Sequence, residues 1–265
     1  MMAHARDGAR TYGKSDPIDA LAVARAALRE PNLPTASLDG PAREVRLLAD
    51  HRDDLVAERT RAINRLRWHL HELDPAWAPP ARSLWRAKHL KAILQHLTRE
   101  DGTVARLARG LVERCRLLTA EILELDQELE QLVRAQAPAL LEICGCATLS
   151  AAKILGETAG VRRFRSRHAY ARHNGTAPLP VWSGNNERHR LSRTGNRQIN
   201  AAIHRIAITQ AHYHPDAKTY LERRRAAGDN KAESIRALKR RLSDVVFKAL
   251  TTDAEANTAS TATAA

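Results

Sequence analysis

Apolar residues in this chain recur mostly at three-, four- and seven-residue intervals, the rhythm of helices that each bury one face. Over 41–73 the stripe is Leu48, Leu55, Ile63, Leu66, Leu70 and Leu73, which predicts one long helix. Over 103–136 it is Val104, Leu107, Leu111, Leu118, Ile122, Leu125, Leu129 and Leu132, with Glu and Arg between. That second stripe predicts a coiled coil or an antiparallel helical hairpin. Its partner is either 41–73 or a second copy of the chain. Before both, Asp16 and Pro17 read as the cap and first residue of a helix that continues to Glu30 and stops at PNLP, 31–34.

The punctuation between stripes is equally plain. DPAWAPPARS, 74–83, is a proline-rich break, and 84–97 forms a short helix before the turn at 100–102. Pro138 stops the second long helix. LLEICGCATLSAAKILGE, 140–157, then predicts two helices about a tight turn at Gly145, in the manner of a helix-hairpin-helix. Such a hairpin presents backbone N–H groups to phosphate. The usual second glycine is Ala147 here, so an ordinary helical turn reads equally well. Residues 165–173 read as helix. The stretch 176–197 is rich in turn residues around one extended segment, a loop or small β-hairpin. Helices resume over 198–212, 217–226 and 231–250, and the low-complexity tail 251–265 is expected to be disordered. The fold class predicted is mainly α.

Charge changes this picture because it is unevenly spread. Residues 1–159 carry 23 basic and 22 acidic side chains, whereas 160–205 carry ten Arg against the single acid Glu187. Residues 218–250 add ten basic and four acidic side chains, and the whole chain stands at +13. A nearly neutral first part and a strongly basic last part point to a polyanion such as nucleic acid, since the planar Arg fork suits phosphate. Arg-rich helix faces that serve only solubility are the plainer alternative. The three cysteines are too few for a disulfide scaffold. No apolar run approaches the roughly 18 residues of a membrane span. The expectation is a soluble, cytoplasmic protein, nucleoid-associated and with no membrane partner.

Two groups could carry chemistry. Asp16 and Asp19 stand three apart at a helix start, on one face. Such a pair can hold Mg²⁺, and it is also what any helix start prefers through capping and the macrodipole. Ser183, in VWSGNNERHR, has basic neighbours and could attack a phosphodiester if activated, although serine in a turn is commonly a turn former. Ser192 is a second candidate. Cys144 and Cys146 form a lone C-x-C without a second pair at zinc spacing. His69/His71 and His212/His214 are two apart and do not face each other on a helix.

The order of GKSDPIDALAVARAAL, HRDDLVAERTRAINRLRWHLHEL, LLEICGCATLSAAKILGETAGVRRFRSRHAYARHNGTAPLPVWSGNN and LSRTGNRQINAAIHRIA resembles one family. It is that of the insertion-sequence transposases joining an RNase-H-like (RuvC-like) DEDD domain to a helical domain with a catalytic serine. These are the bridge-RNA-guided recombinases, related to certain site-specific DNA invertases. The resemblance runs from about Gly13 to about Leu250. It implies that Asp16 and Asp19 are the last two acids of a Mg²⁺-binding quartet, and that Ser183 is the nucleophile that forms a phosphoserine link to cleaved DNA. Arg162, Arg163, Arg165, Arg167, Arg188, Arg190, Arg193 and Arg197 would contact nucleic acid, either DNA or a guide RNA. The chain would assemble as a homo-oligomer through its coiled coil.

On this reading, 1–40 is the remnant of the RNase-H-like domain, 41–137 a helical linker, 138–250 the basic transposase domain and 251–265 the tail. The family's first Asp and its Glu, expected on upstream strands, have no counterpart before Asp16, where Asp7 is the sole acid. The chain therefore reads as N-terminally truncated and inactive alone. A non-catalytic nucleic-acid-binding remnant and a helical oligomerisation module stand as alternatives.

Overall fold

The computed structural model describes residues 16–30, 33, 35–36, 39–183, 186–190 and 195–264, and their side chains except at 181–190 and 260–264. The chain divides into two compact units, 1–36 and 37–265. In the first, α1 (Asp16–Arg29) carries both acids in its first turn and buries Ala22. Asp16 is thus the first helical residue, one position further in than the cap expected for it.

The second unit begins with α2 (Pro41–Leu73), α3 (Ala87–Leu97) and α4 (Gly102–Gln136). Pro41 starts α2 where a missing N–H costs nothing. The stripe of α4 packs against α2 of the same chain, in antiparallel register. Arg52 Nε donates to Asp126 at 2.6 Å near one end, and Arg114 reaches Glu58 at 2.6 Å further along. Between them Leu55, Leu118 and Ile122 close a small apolar cluster. At the far end Leu66 and Leu70 of α2, Leu90, Ile93 and Leu97 of α3, and Val112 of α4 form a separate core under the proline-rich break. The Arg114–Glu58 pair is exposed and the Arg52–Asp126 pair part-buried, and burial of the apolar stripe outweighs both.

The remaining elements are α5 (Pro138–Leu141), α6 (Thr148–Thr158), a 3₁₀ turn (Val161–Arg163), α7 (Arg167–His173), strands β1 (Leu179–Ser183) and β2 (Asn186–Arg190), then α8 (Arg197–Tyr213), α9 (Pro215–Ala226) and α10 (Lys231–Ala264). The strands pair antiparallel as a two-stranded ribbon, with Leu179 opposite Arg190 and Ser183 opposite Asn186. The fold is mainly α-helical.

The long helix pair is continuous with the C-terminal helices. Val45 and Ala49 of α2 and Leu129 and Val133 of α4 lie in one core with Ile154, Tyr170, Ile203, Leu242 and Val246. Residues 37–265 form one compact unit. A Cβ on Gly156 would sit 2.7 Å from Cβ of Arg46, so α6 meets α2 at a spacing only glycine allows. Lys153 of α6 fastens the same contact, pairing with Asp50 at 2.7 Å and Asp53 at 2.9 Å.

The tail corrects an expectation. Residues 251–264, expected to be disordered, continue α10. Low complexity hid three anchors: Asp253 accepts from the Ala139 N–H at 3.0 Å, Asn257 donates to the Gln136 carbonyl at 2.9 Å, and Thr258 accepts from Arg162 at 2.9 Å. The first of these satisfies an N–H that α5, beginning at Pro138, cannot pair internally. Among the described residues, no helix is long and apolar enough to cross a membrane.

Leu118 is fully buried between the long helices. Leu118→Asp should destabilise the chain by about 3 kcal/mol or more, because an unpaired carboxylate would lie in an apolar seam. Chemical denaturation followed by circular dichroism reads this. An unchanged midpoint would mean that the pair is not held by its stripe.

Candidate nucleic-acid interface

The ribbon leaves and rejoins the helical body at one place. A Cβ on Gly195 would collide with the backbone N and Cα of Gly175, and Gly175 has φ +71°. The two segments touch backbone to backbone, which two glycines permit and a side chain does not. Hydrogen bonds fix this neck. The Asn196 N–H donates to the His173 carbonyl at 2.7 Å, while its side chain caps α8 by accepting from Ile199 N–H at 3.0 Å. Its amide also donates to Glu157 at 2.5 Å. Asn174, fully buried, accepts from the Thr176 N–H and hydroxyl and donates to Ser243 Oγ at 2.8 Å. The paired strands β1 and β2 follow this neck, and Ser183 is the last residue of β1.

Beside the neck lies a cleft of about 610 Å³ between α8 and α10. Gly175 and Gly195 form its edge, and Arg197, Asn200, His204, Lys231, Arg236 and Lys239 supply its polar lining. Ala201, Ile208 and Ile235 give it an apolar wall. Lys239 is only 7% exposed, and its ammonium donates to Asn200 Oδ1 at 2.6 Å. The Asn200 amide in turn donates to the Asn174 carbonyl at 2.8 Å. Burial pushes the Lys239 ammonium down to about 8, and the positive charges of Arg197 and Arg236 add to the shift. His204 is lowered too, by burial and then by Lys239. Among the described residues no carboxylate forms an ion pair with Lys239, Arg197 or Lys231, and Arg236 has only Glu233 at 3.8 Å.

The arginines expected to bind nucleic acid separate into several groups. Arg197 lines the cleft from the start of α8. Arg165 and Arg167 are exposed at and just before the start of α7. Arg188 and Arg190 belong to β2, opposite Val181 and Leu179. Arg193 and Ser192 lie outside the described residues. Arg163 donates to the Thr158 carbonyl at 2.9 Å, lies 4.3 Å over the Phe164 ring, and is lowered by burial. Its fork is engaged in holding the turn after α6. Arg162 is tied to Thr258 of α10 but remains exposed. Asp16 and Asp19 belong to the first unit, Ser183 and the arginines to the second. Among the described residues no group of three or more His, Cys, Asp or Glu is placed to share a metal ion.

The turn at Gly145 packs toward α8, where a Cβ would lie 2.9 Å from that of Thr209, and Gln210 donates to the Cys144 carbonyl at 2.9 Å. One side of the turn is therefore occupied within the fold. Sequence reasoning singles out none of Lys231, Arg236, Lys239 and His204. The surplus charge of 218–250 is the available signal, and it cannot say which of its ten cations face a cleft.

Residues 137–222 match the family described as Transposase IS116/IS110/IS902 family, and 1–75 match the DEDD transposase of the IS110 group. Two separate parts of the chain thus resemble IS110-type transposases. It is also 28% identical to the Insertion element IS900 uncharacterized 42 kDa protein of Mycobacterium paratuberculosis, over 99% of this chain and 77% of that protein. The first match spans the neck, the ribbon and all of α8, and the second spans Asp16, Asp19 and α2. Resemblance to that family implies DNA binding and recombination.

Gly195→Ala should cost about 1–3 kcal/mol by forcing the neck apart, read by thermal unfolding; wild-type stability would show the segments to be separable. The unliganded protein should also gain stability as pH rises from about 8 toward 10.5, because the unfolded chain then holds the Lys239 proton that the folded chain has released. The stability difference between wild type and Lys239→Met isolates this effect, at most about 3 kcal/mol across the window. A pH-independent difference would place Lys239 in an ordinary solvated setting.

Proposed function

We propose that this chain acts in DNA transposition, binding DNA together with a guide RNA through residues 160–250, with Ser183 as the nucleophile of strand cleavage and rejoining. The observation that carries the reading is the family match over 137–222, which takes in the clamped ribbon bearing Ser183 and the start of the cation-lined cleft. The turn at Gly145 then serves chiefly to pack α6 against α8, and 1–36 contributes a helix of an RNase-H-like domain. The α2–α4 pair presents Trp68 and Leu117 to solvent, apolar side chains suited to contact between copies in a homo-oligomer.

In the cleavage step the Ser183 hydroxyl gives up its proton and Oγ bonds to phosphorus. The bond from phosphorus to the leaving oxygen of the adjoining nucleotide breaks, that oxygen takes up a proton, and the strand end remains as a phosphoserine diester. Rejoining is the reverse, with a nucleotide hydroxyl displacing Oγ. Exposed cations of the second unit, Arg165 and Arg167 among them, hold flanking phosphates and oppose the charge that builds on the phosphoryl oxygens. Asp16 and Asp19, two carboxylates one turn apart, suit Mg²⁺, which takes one or two protein carboxylates and completes its shell with water and substrate phosphate. When bound there the ion would supply Lewis-acid stabilisation of the phosphoryl group.

With about six phosphates neutralised, affinity for DNA should fall roughly 10³-fold between 50 and 200 mM salt. Salt-independent binding would remove the electrostatic basis of the reading. Trapping of a protein–DNA adduct from a terminal-site substrate, with Mg²⁺ and the guide RNA present, tests the nucleophile. Loss of the adduct in Ser183→Ala supports the assignment. Retention there with loss in Ser192→Ala would move it to Ser192.

A further inference from the structure

Lys239 poses a problem that the ribbon and its serine do not solve. An ammonium group has three N–H donors, and within the described residues this one donates to Asn200. It is almost entirely covered, Arg197 and Arg236 stand near enough to repel it, and no carboxylate compensates among the described residues. Buried cations are ordinarily paired, because an unbalanced charge away from water is costly. Elsewhere this chain obeys the rule: Lys153, equally covered, has both Asp50 and Asp53. The difference between the two lysines is that Lys239 borders an open cleft and Lys153 does not line it.

The lining says which anion is missing. Cations stand on both walls, Arg197 on α8 and Arg236 and Lys239 on α10, while Ala201, Ile208 and Ile235 give one apolar strip. A free inorganic ion has no use for that strip. A nucleic-acid backbone alternates charged phosphate with a largely apolar sugar, and so uses both. The volume, about 610 Å³, is ample for one such unit.

We propose that the cleft between α8 and α10 is a phosphodiester-binding site, in which one backbone phosphate lies against Lys239, Arg197 and Arg236 and its sugar against Ala201, Ile208 and Ile235. The site rests on the reading that this chain handles nucleic acid, and it goes beyond that reading by naming the cations and the unit they bind. Of the arginines assigned from sequence whose side chains are described, Arg197 alone lines it. DNA and RNA share the chemistry, and binding measurements on each distinguish the source.

The experiment uses the full 265-residue chain and three fluorescein-labelled oligonucleotides of mixed sequence, about two helical turns long: single-stranded DNA, duplex DNA and single-stranded RNA. Anisotropy titrations between about 50 and 200 mM salt compare wild type with Lys239→Gln, Arg236→Gln and, as an exposed control on α3, Lys88→Gln. The expected result is about tenfold weaker binding of at least one oligonucleotide by Lys239→Gln and Arg236→Gln. Their slope of log affinity against log salt should be shallower by about 0.7–0.9, one phosphate contact. Lys88→Gln should match wild type. The oligonucleotide that loses affinity identifies the strand the cleft takes.

Arg236 is only partly buried, so its variant keeps the test open should Lys239→Gln fold poorly by circular dichroism. Wild-type affinity and slope in folded Lys239→Gln or Arg236→Gln, with wild type itself binding, would overturn the cleft and leave the wider function standing. Failure of wild type to bind any of the three would overturn both.

Discussion

Gly175 and Gly195 lie backbone against backbone, and the position of the β1–β2 ribbon on the helical body depends on that contact. It brings together the segment that leads into β1 and the segment that begins α8. Long connections are ordinarily variable in position. Here the root is set by groups with no freedom: a fully buried Asn174, the capping side chain of Asn196, and the hydroxyl of Ser243 on a helix much further along the chain. The hydrogen bonds matter less for their energy, about 1 kcal/mol each, than for tying three separate segments of the chain together at one point. A serine at the end of β1 is thereby carried by a neck that is as constrained as the core.

The core itself explains why this neck is rigid. Tyr170, a few residues before the neck, is wholly buried beside Phe164 and Phe247, with its hydroxyl 3.3 Å from that of Thr158. Burial drives the Tyr170 hydroxyl far above its ordinary pKa, so it stays neutral there. The same core reaches down to Val45 and Val133 at the root of the long helix pair. Motion of that pair is therefore mechanically joined to the body that carries the ribbon. A hairpin linked by a loose tether would not transmit anything; one that shares Ala49 and Leu129 with the domain core moves only as part of it.

The sequence makes the helices legible and leaves their partners obscure, for a physical reason. Leu55, Leu66 and Leu70 recur at helical spacing, and burial depends on that spacing alone, so 41–73 is readable to its ends. The choice between 41–73 and a second chain as partner for the α4 stripe is not in the pattern, because the same apolar face satisfies either. The tail misleads for the opposite reason: its Thr- and Ala-rich composition carries no stripe, and what orders it is three long-range polar contacts, Asp253 to Ala139 being the clearest. The acids at 16 and 19 share one helix turn as their spacing predicts, yet spacing cannot separate a capping pair from a metal pair. Arg163 looks like its neighbours in sequence, and only the tertiary fold shows that it is set on Phe164 and the Thr158 carbonyl. Charge patterning locates the basic part of the molecule but ranks Arg above Lys, whereas the most covered cation facing the cleft is Lys239.

Asn200 joins the two halves of the site. One end of its amide accepts from Lys239 and the other donates to the carbonyl of Asn174, the residue beside the neck glycine. A protonated lysine is a stronger donor to Asn200 than a neutral one, because charge-assisted hydrogen bonds are about twice as strong as neutral ones. An anion in the cleft favours the protonated form. Occupation of the cleft therefore strengthens the Lys239–Asn200 bond, and through a polarised amide it strengthens the Asn200–Asn174 bond as well. No hinge or rearrangement is needed for this coupling. Asn174 is where this bond meets the neck: its backbone carbonyl accepts from Asn200, and its side chain separately donates to Ser243.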